Sequence, residues 1–363
     1  MKAANRKELL LLAGSYTRQM PNAVGRGEGI YSCWFDTESG TLRVARVLKG
    51  MADPTYLAVA AGRQRVYSIA SRADDGDGNT AAVCALALDP SDGTLSLLNC
   101  EPVASLGACH VWTTGDHALV ACYAGGSVAA LPLRDDGSLL STSSLVQHEG
   151  ATRVDPSRQD GPRAHCIVPD PSGRFYLVAD LGKDEVIIYR LEDGVLVQHG
   201  QAMSAPGAGP RHLAFHPDGR HAFVVNELSC SVTAFRFDPD AGELTRLGSL
   251  STLPLNYMGF NTCAAIHVDP QGRFVYASNR GHDSIAVFEF DADSESLVQR
   301  SIHASGGRTP RDFTLTPDGN WLLAAHQDSA NITSFRVDSD TGALEATGQE
   351  LELPAVVCLK WAV

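Results

Sequence analysis

The chain has 363 residues, of which 44% are apolar and 20% charged, a globular mix that excludes a disordered or collagen-like polymer. Its 42 acidic residues against 29 basic ones give a formal charge of -13, which repels a polyanion at long range and argues against nucleic acid as a partner. A small anion stays open, because a local cluster of Arg and His can hold one against the overall field.

From the N-terminus, MKAANRKELLLLAGSYT (1–17) pairs a basic start with an apolar stretch too short for a secretory signal. No later run approaches the ~20 apolar residues of a membrane span. The expectation is a cytoplasmic protein with no membrane partner. The first strands read as LLLLAG (9–14), GIYSCWFD (29–36) and TLRVARVL (41–48), the last two joined by the turn DTESGTL (36–42). That turn recurs as DPSDGTL (89–95), DDGSL (135–139), EDGVL (192–196), DPDAGEL (238–244), DADSESL (291–297) and DSDTGAL (338–344). The sixth copy carries Glu295 where the others have Gly. Successive terminal leucines lie 44 to 57 residues apart, a period that fits propeller blades.

A second turn precedes the first by about twenty residues, as DPSGRF (170–175), HPDGRH (216–221), DPQGRF (269–274) and TPDGNW (316–321). Between these landmarks short segments alternate or run apolar, as in HLAFH, HAFVVN, SVTAFRF and LTRLGSL within 212–250, which makes four strands per repeat. With 34 Gly and 18 Pro and no long stretch of 3.6 periodicity, the fold class is all-β. With strands labelled a to d from the centre outward, the Pro-x-Gly turn joins a to b and the acidic turn joins c to d. The chain then begins at a strand b, and VVCLKWAV (356–363) supplies the missing strand a. The predicted architecture is one seven-bladed β-propeller domain over 1–363, closed by the C-terminal strand joining the N-terminal blade. A closed ring needs no partner for stability, so a monomer is expected.

Nine cysteines are present and none are spaced C-x-x-C, which removes a zinc ribbon or thioredoxin-like pair. Cys84, Cys166, Cys230 and Cys263 sit in or beside apolar runs and read as buried free thiols in a reducing compartment. His212 and His216 are four apart on a strand, but no Asp or Cys companion is recognised at metal-ligand spacing. GRGEGI (25–30) opens a strand rather than a helix, so it reads as a surface loop and not a phosphate cradle. No metal and no other cofactor are expected. The absence of a G-x-S-x-G elbow argues against a serine hydrolase.

In this topology the loops entering strand a and those leaving strand b open on one face, around the central channel. The entering segments are DPTY (53–56), GACH (107–110), PRAH (162–165), GPRH (209–212), NTCAA (261–265) and TPRDF (309–313). The leaving segments include SRADD (71–75), DLGKD (180–184), NELS (226–229), NRGHD (279–283) and HQDSA (326–330). Together they deliver Arg163, His165, Arg211, His212, Asp180, Glu227, Arg280, Arg311 and His326 to one mouth. Such a set suits binding an anion and moving a proton beside it. Inter-blade salt bridges and strand-end caps would use the same residue types.

The segments PRAHCIVPDPSGRFYLVADLG, GPRHLAFHPDGRHAFVVNELSCSV, SNRGHDSIAVF and TPRDF resemble the seven-bladed propeller lactonases, typified by 6-phosphogluconolactonase and related to fungal carboxymuconate cyclases. The resemblance runs from GSYT (14–17) to the last strand. It implies the propeller and a lactone substrate, and it places the active-site His, Arg, Glu and second Arg of the cyclase branch on His165, Arg211, Glu227 and Arg280. Arg163, His212, Asp180, Arg311 and His326 are then expected to bind substrate. The implied reaction is hydrolysis of a sugar-acid lactone, foremost 6-phosphogluconolactone in the pentose phosphate pathway. Aldarolactone hydrolysis, carboxymuconate-type cyclisation and a noncatalytic binding propeller are the alternatives. The chain departs from the family at His326, where Asn is common, and at Thr309, where an aromatic is frequent. Lactone hydrolysis needs a base for water, a site for the oxyanion and a proton for the leaving oxygen. Glu227 is the favoured base, with His165 as acid, and the reverse assignment stays open.

Overall fold

The computed structural model describes residues 7–20, 23–60, 62, 64–71 and 80–362. Positions 72–75 of the SRADD segment therefore lie outside the described residues, as do 1–6 and the last residue of the closing strand. The described residues form seven four-stranded antiparallel sheets and no α-helix. Blade one combines Val356–Trp361 as strand a with Glu8–Ser15, Gly29–Asp36 and Leu42–Lys49. Leu11 pairs with Trp361 and Ala13 with Leu359, so the two ends of the chain close the ring as the sequence implies. Blades two to seven span 57–106, 108–147, 164–203, 210–251, 262–304 and 310–352.

Each strand position has its own burial signature. Strand b is buried along its whole length in His221–Asn226 and Trp321–His326, because it lies between strands and between blades. Strand d alternates exposed and half-buried residues, as in Glu243–Ser251, because only one face packs. The core is therefore divided among the seven interfaces between blades. Phe175, Leu177 and Ala179 of blade four, for example, pack on Ala222, Val224, Phe235 and Phe237 of blade five.

The two recurring turns explain how neighbouring blades lock. In blades four, six and seven strand b is led by a buried aromatic, Phe175, Phe274 or Trp321. Each seats on the glycine of the next blade's c–d turn: Gly242, Gly342 or Gly40. Those glycines have φ of +68°, +70° and +76°, and a Cβ on any of them would strike the ring. One such ring buried at an interface is worth about 2–3 kcal/mol.

The cysteine expectation is corrected at one position. Cys84 is not a free thiol; it forms a disulfide with Cys100, its cross-strand neighbour in blade two. The other seven cysteines are free, six of them buried.

Candidate active site

A β-bulge sits near the start of the inner strand in several blades, and it chooses which side chains enter the channel. The a–b register slips between Ala108 and His110, Ala164 and Cys166, Pro210 and His212, and Pro310 and Asp312. The extra residue in each case, Cys109, His165, Arg211 or Arg311, has no ladder partner, and all four line one cavity of about 580 Å³ at the mouth of the channel. Arg280 is the last residue of strand b in blade six. Glu227 follows strand b of blade five, its N–H donating to Gly209 O at 2.7 Å and its carbonyl accepting Cys263 N at 3.1 Å. That pair of bonds fixes the carboxylate at the seam between blades five and six.

Glu227 is the hub. Its Oε2 lies 3.0 Å from Arg211 Nε and 3.1 Å from Arg280 Nη2, and its Oε1 accepts Arg158 Nη2 at 2.6 Å. Arg211 also donates Nη1 to Ala264 O at 2.6 Å, and Arg280 donates Nη2 to Cys263 O at 2.7 Å. Arg211 Nε and Arg280 Nε are buried without an aligned acceptor among the described residues. Burial alone would raise the Glu227 carboxyl, but Arg280, Arg211 and Arg158 outweigh it and hold it far below the ordinary range. Burial, with Arg280 beside it, lowers the Arg211 guanidinium to about 10, which leaves it charged at neutral pH.

His165 stands next to this cluster as an uncharged ring. Burial first, then Arg211, pushes its pKa well below the ordinary imidazole value. Its Nδ1 lies 3.8 Å from Cys109 Sγ, and its ring meets Tyr123 edge-on at 5.3 Å and His212 at 5.4 Å. His212 continues a row of rings through His110, 5.6 Å away, to Tyr56, 4.2 Å further, whose hydroxyl accepts Lys360 Nζ at 3.2 Å. Burial likewise keeps His212 and His110 neutral.

Six of the nine residues singled out from the sequence line the cavity: His165, Arg211, His212, Glu227, Arg280 and Arg311. Among the described residues Arg311 has no carboxylate within ion-pair distance; its Nη1 meets Gln327 Oε1 at 3.4 Å and its guanidinium lies over the Tyr16 ring. The other three are placed elsewhere, which corrects their assignment to the substrate. Asp180 is fully buried, paired with His148 Nδ1 at 2.6 Å and capping the Arg163, Gly182 and Lys183 amides. Arg163 turns outward to Asp160 at 2.7 Å and to Ala124 O. His326 is buried in blade seven with Nδ1 at 3.1 Å from Asn331 O. Arg158 and Tyr123 are the main residues that sequence reasoning did not find. Arg158 belongs to segment 148–163 between blades three and four, long for such a connection, and that length was the available signal.

The chain belongs to the seven-bladed β-propeller lactonase family, whose description, "Lactonase, 7-bladed beta-propeller", matches residues 10–361. It is 37% identical over 350 residues to a Bacillus subtilis (strain 168) protein named 6-phosphogluconolactonase, covering 96% of this chain and 97% of that one. Among solved structures it is similar to a candidate 6-phosphogluconolactonase from Bacteroides fragilis NCTC 9343, at 32% identity and a TM-score of 0.90 over 99% of both chains. A periplasmic gluconolactonase of Pseudomonas aeruginosa is 29% identical with a TM-score of 0.90, over 98% of this chain and 99% of that one.

Proposed function

We propose that this protein hydrolyses a sugar-acid lactone carrying an anionic handle, with 6-phosphogluconolactone as the foremost substrate. The observation that carries this reading is the charge of the mouth. Arg158, Arg211, Arg280 and Arg311 line the cavity, and Glu227 is the carboxylate that pairs with the first three; the other two lining carboxylates are engaged elsewhere, Asp53 by Arg18 and Asp312 by the Leu359 amide. A buried excess of guanidinium is costly unless an anion completes it. The names of the Bacillus subtilis and Pseudomonas aeruginosa relatives support a gluconolactone-type ring.

Of the two residues considered as base, His165 is the better fit. Both carboxylate oxygens of Glu227 are held by guanidiniums, so it accepts a proton poorly, whereas His165, kept uncharged by burial and Arg211, lines the cavity with a ring lone pair available for one. In this mechanism His165 takes a proton from water as the water oxygen attacks the lactone carbonyl. Arg211 and Arg280 donate N–H groups to the oxyanion that develops. The ring C–O bond then breaks, and the proton held by His165 passes to the departing oxygen, giving a hydroxy acid. Glu227 acts as a positioning residue that holds the guanidiniums, and Arg311 takes the handle.

The test is a pH-stat assay with 6-phosphogluconolactone, gluconolactone, glucarolactone and galactarolactone. Consumption of the phosphorylated ring well above its spontaneous rate, and above the neutral one, is expected. Faster turnover of an aldarolactone would reassign the handle to a carboxylate, and no acceleration with any of the four would overturn lactone hydrolysis.

A further inference from the structure

On the face opposite the mouth, the contact between blades five and six breaks the rule that holds in three other places. Where blades four, six and seven place an aromatic on a glycine of the next blade, blade five has His221 and blade six has Glu295. Both halves of one contact have changed together. His221 Nε2 now lies 3.3 Å from Glu295 Oε1, and Glu295, at a φ of 53°, is also gripped by Arg236.

The head of the same a–b turn has changed as well. In the other three blades that residue is Asp170, Asp269 or Thr316, whose side-chain oxygen accepts the amide of the aromatic at 2.8, 2.6 and 3.1 Å. In blade five it is His216, and the cap moves to Asp218, whose Oδ1 accepts the His221 amide at 3.2 Å. His216 and His221 are buried, while Asp218 is partly open to solvent.

The contacts inside this turn conflict if nothing else is present. His216 Nδ1 accepts the Asp218 amide at 3.1 Å, which needs a lone pair on that nitrogen. The same nitrogen faces Asp218 Oδ1 at 2.9 Å, which needs a proton there. His221 Nδ1 meets the other carboxylate oxygen at 2.7 Å. A cation on that lone pair, shared with His221 Nδ1 and the carboxylate, satisfies the Asp218 oxygens without a ring proton and takes the place of the amide contact.

We propose that His216, Asp218 and His221 bind a divalent transition-metal ion of the zinc, cobalt or nickel class. Their ligand atoms lie within 4.8 Å of one another. Bonds of about 2.0–2.2 Å to a tetrahedral ion require spacings of about 3.3 Å, so small side-chain rotations close the set. Two imidazoles and a carboxylate suit these metals better than calcium or magnesium. Glu295 supplies what a metal-binding imidazole usually has, a carboxylate on its second ring nitrogen that fixes its orientation. Because Glu295 belongs to blade six, the ion staples two blades together. The sequence reading set His216 beside His212, but those two lie at opposite ends of strand a; the companions of His216 are Asp218 and His221.

The test uses the full chain, stripped with chelator and titrated calorimetrically with zinc chloride, then with cobalt chloride followed by visible absorption. One ion per chain, a higher melting temperature and a cobalt spectrum without thiolate charge transfer are expected. A His216→Asp/His221→Phe/Glu295→Gly variant, which restores the residues other blades use, should fold, keep its lactone turnover and lose the ion. Asp218→Asn should weaken binding at least tenfold with less disturbance to packing. No binding by the parent chain, undiminished binding by both variants, or a thiolate-type cobalt spectrum would each overturn the proposal.

Discussion

Arg158 reaches Glu227 across 69 residues of sequence, placing Nη2 2.6 Å from Oε1 while the same guanidinium touches the Tyr123 hydroxyl at 3.1 Å. It brings a third cation to a carboxylate that Arg211 and Arg280 already flank. Three guanidiniums around one carboxylate give this part of the cavity a net positive charge. A reaction that builds an oxyanion there gains more than its ground state does, which is the condition for catalysis rather than tight binding alone.

Replacing Arg158 with Ala should lower kcat/KM about tenfold. A charge-assisted hydrogen bond is worth about 1.5–3 kcal/mol, and the partial exposure of this side chain discounts it toward the lower figure. Arg158→Lys should recover part of the loss, since the charge returns without the fork. Steady-state kinetics decide the matter, and parent-like values for Arg158→Ala would remove Arg158 from the site.

His165→Asn should reduce kcat by at least about a hundredfold, the usual contribution of a general base. The parent's kcat/KM should stay level through neutral pH and fall on the acid side only below the ordinary imidazole value of 6.5, because burial and Arg211 depress the His165 pKa and the base must be uncharged to act. A pH–rate profile breaking at or above 6.5 would contradict this assignment.

Much of this was legible in the residues. The seven acidic turns mark the seven c–d connections, and GIYSCWFD (29–36) coincides with a strand. His165, Arg211 and Arg311 at the a-strand bulges were found because the propeller topology opens the loops entering strand a on the channel; Cys109, in the GACH segment, was not singled out. What failed was orientation. Asp180 and His326 occupy the right ends of the right strands, but ladder geometry aims them between sheets, where Asp180 finds His148 and a set of amides to cap. Arg158 was invisible for another reason: a loop without periodicity carries no sign of where its tip folds.

Acid should weaken the fold through Glu227. Its folded pKa lies below the ordinary 4.5 of the unfolded chain, so its contribution is fully present above about 4.5 and is lost as pH falls from there toward the folded value. Chemical denaturation between pH 6 and pH 3, on the order of the range where carboxylates titrate, should show a steeper loss for the parent than for Glu227→Gln. Equal slopes would mean that the arginine cluster adds nothing to stability.

Arg311→Gln should separate handle from ring. This guanidinium has no carboxylate partner among the described residues, so its charge is available to substrate. The variant should raise KM for 6-phosphogluconolactone about tenfold or more, as expected for losing one charge-assisted contact. KM for gluconolactone should barely move. A parallel rise for both rings would assign Arg311 to shaping the cavity instead.

The Cys84–Cys100 bridge gives a prediction about stability alone. Near the turn of that hairpin Leu88 faces Leu95 and Leu86 faces Leu97, a register that continued unchanged would set Cys84 opposite Asn99. A bulge between Ala85 and Leu86 moves the pairing by one residue and brings Cys100 into place. The cross-link closes a short loop between strands that are already paired, so about 2–3 kcal/mol is expected from it, the figure for loops of that length. Cys84→Ser/Cys100→Ser, or dithiothreitol on the parent chain, should lower the denaturation midpoint accordingly. Lactone turnover at 25 °C, roughly the temperature to which that figure refers, should be unchanged, because neither sulfur lines the cavity. A midpoint indifferent to reductant would show that the bridge does not form in solution.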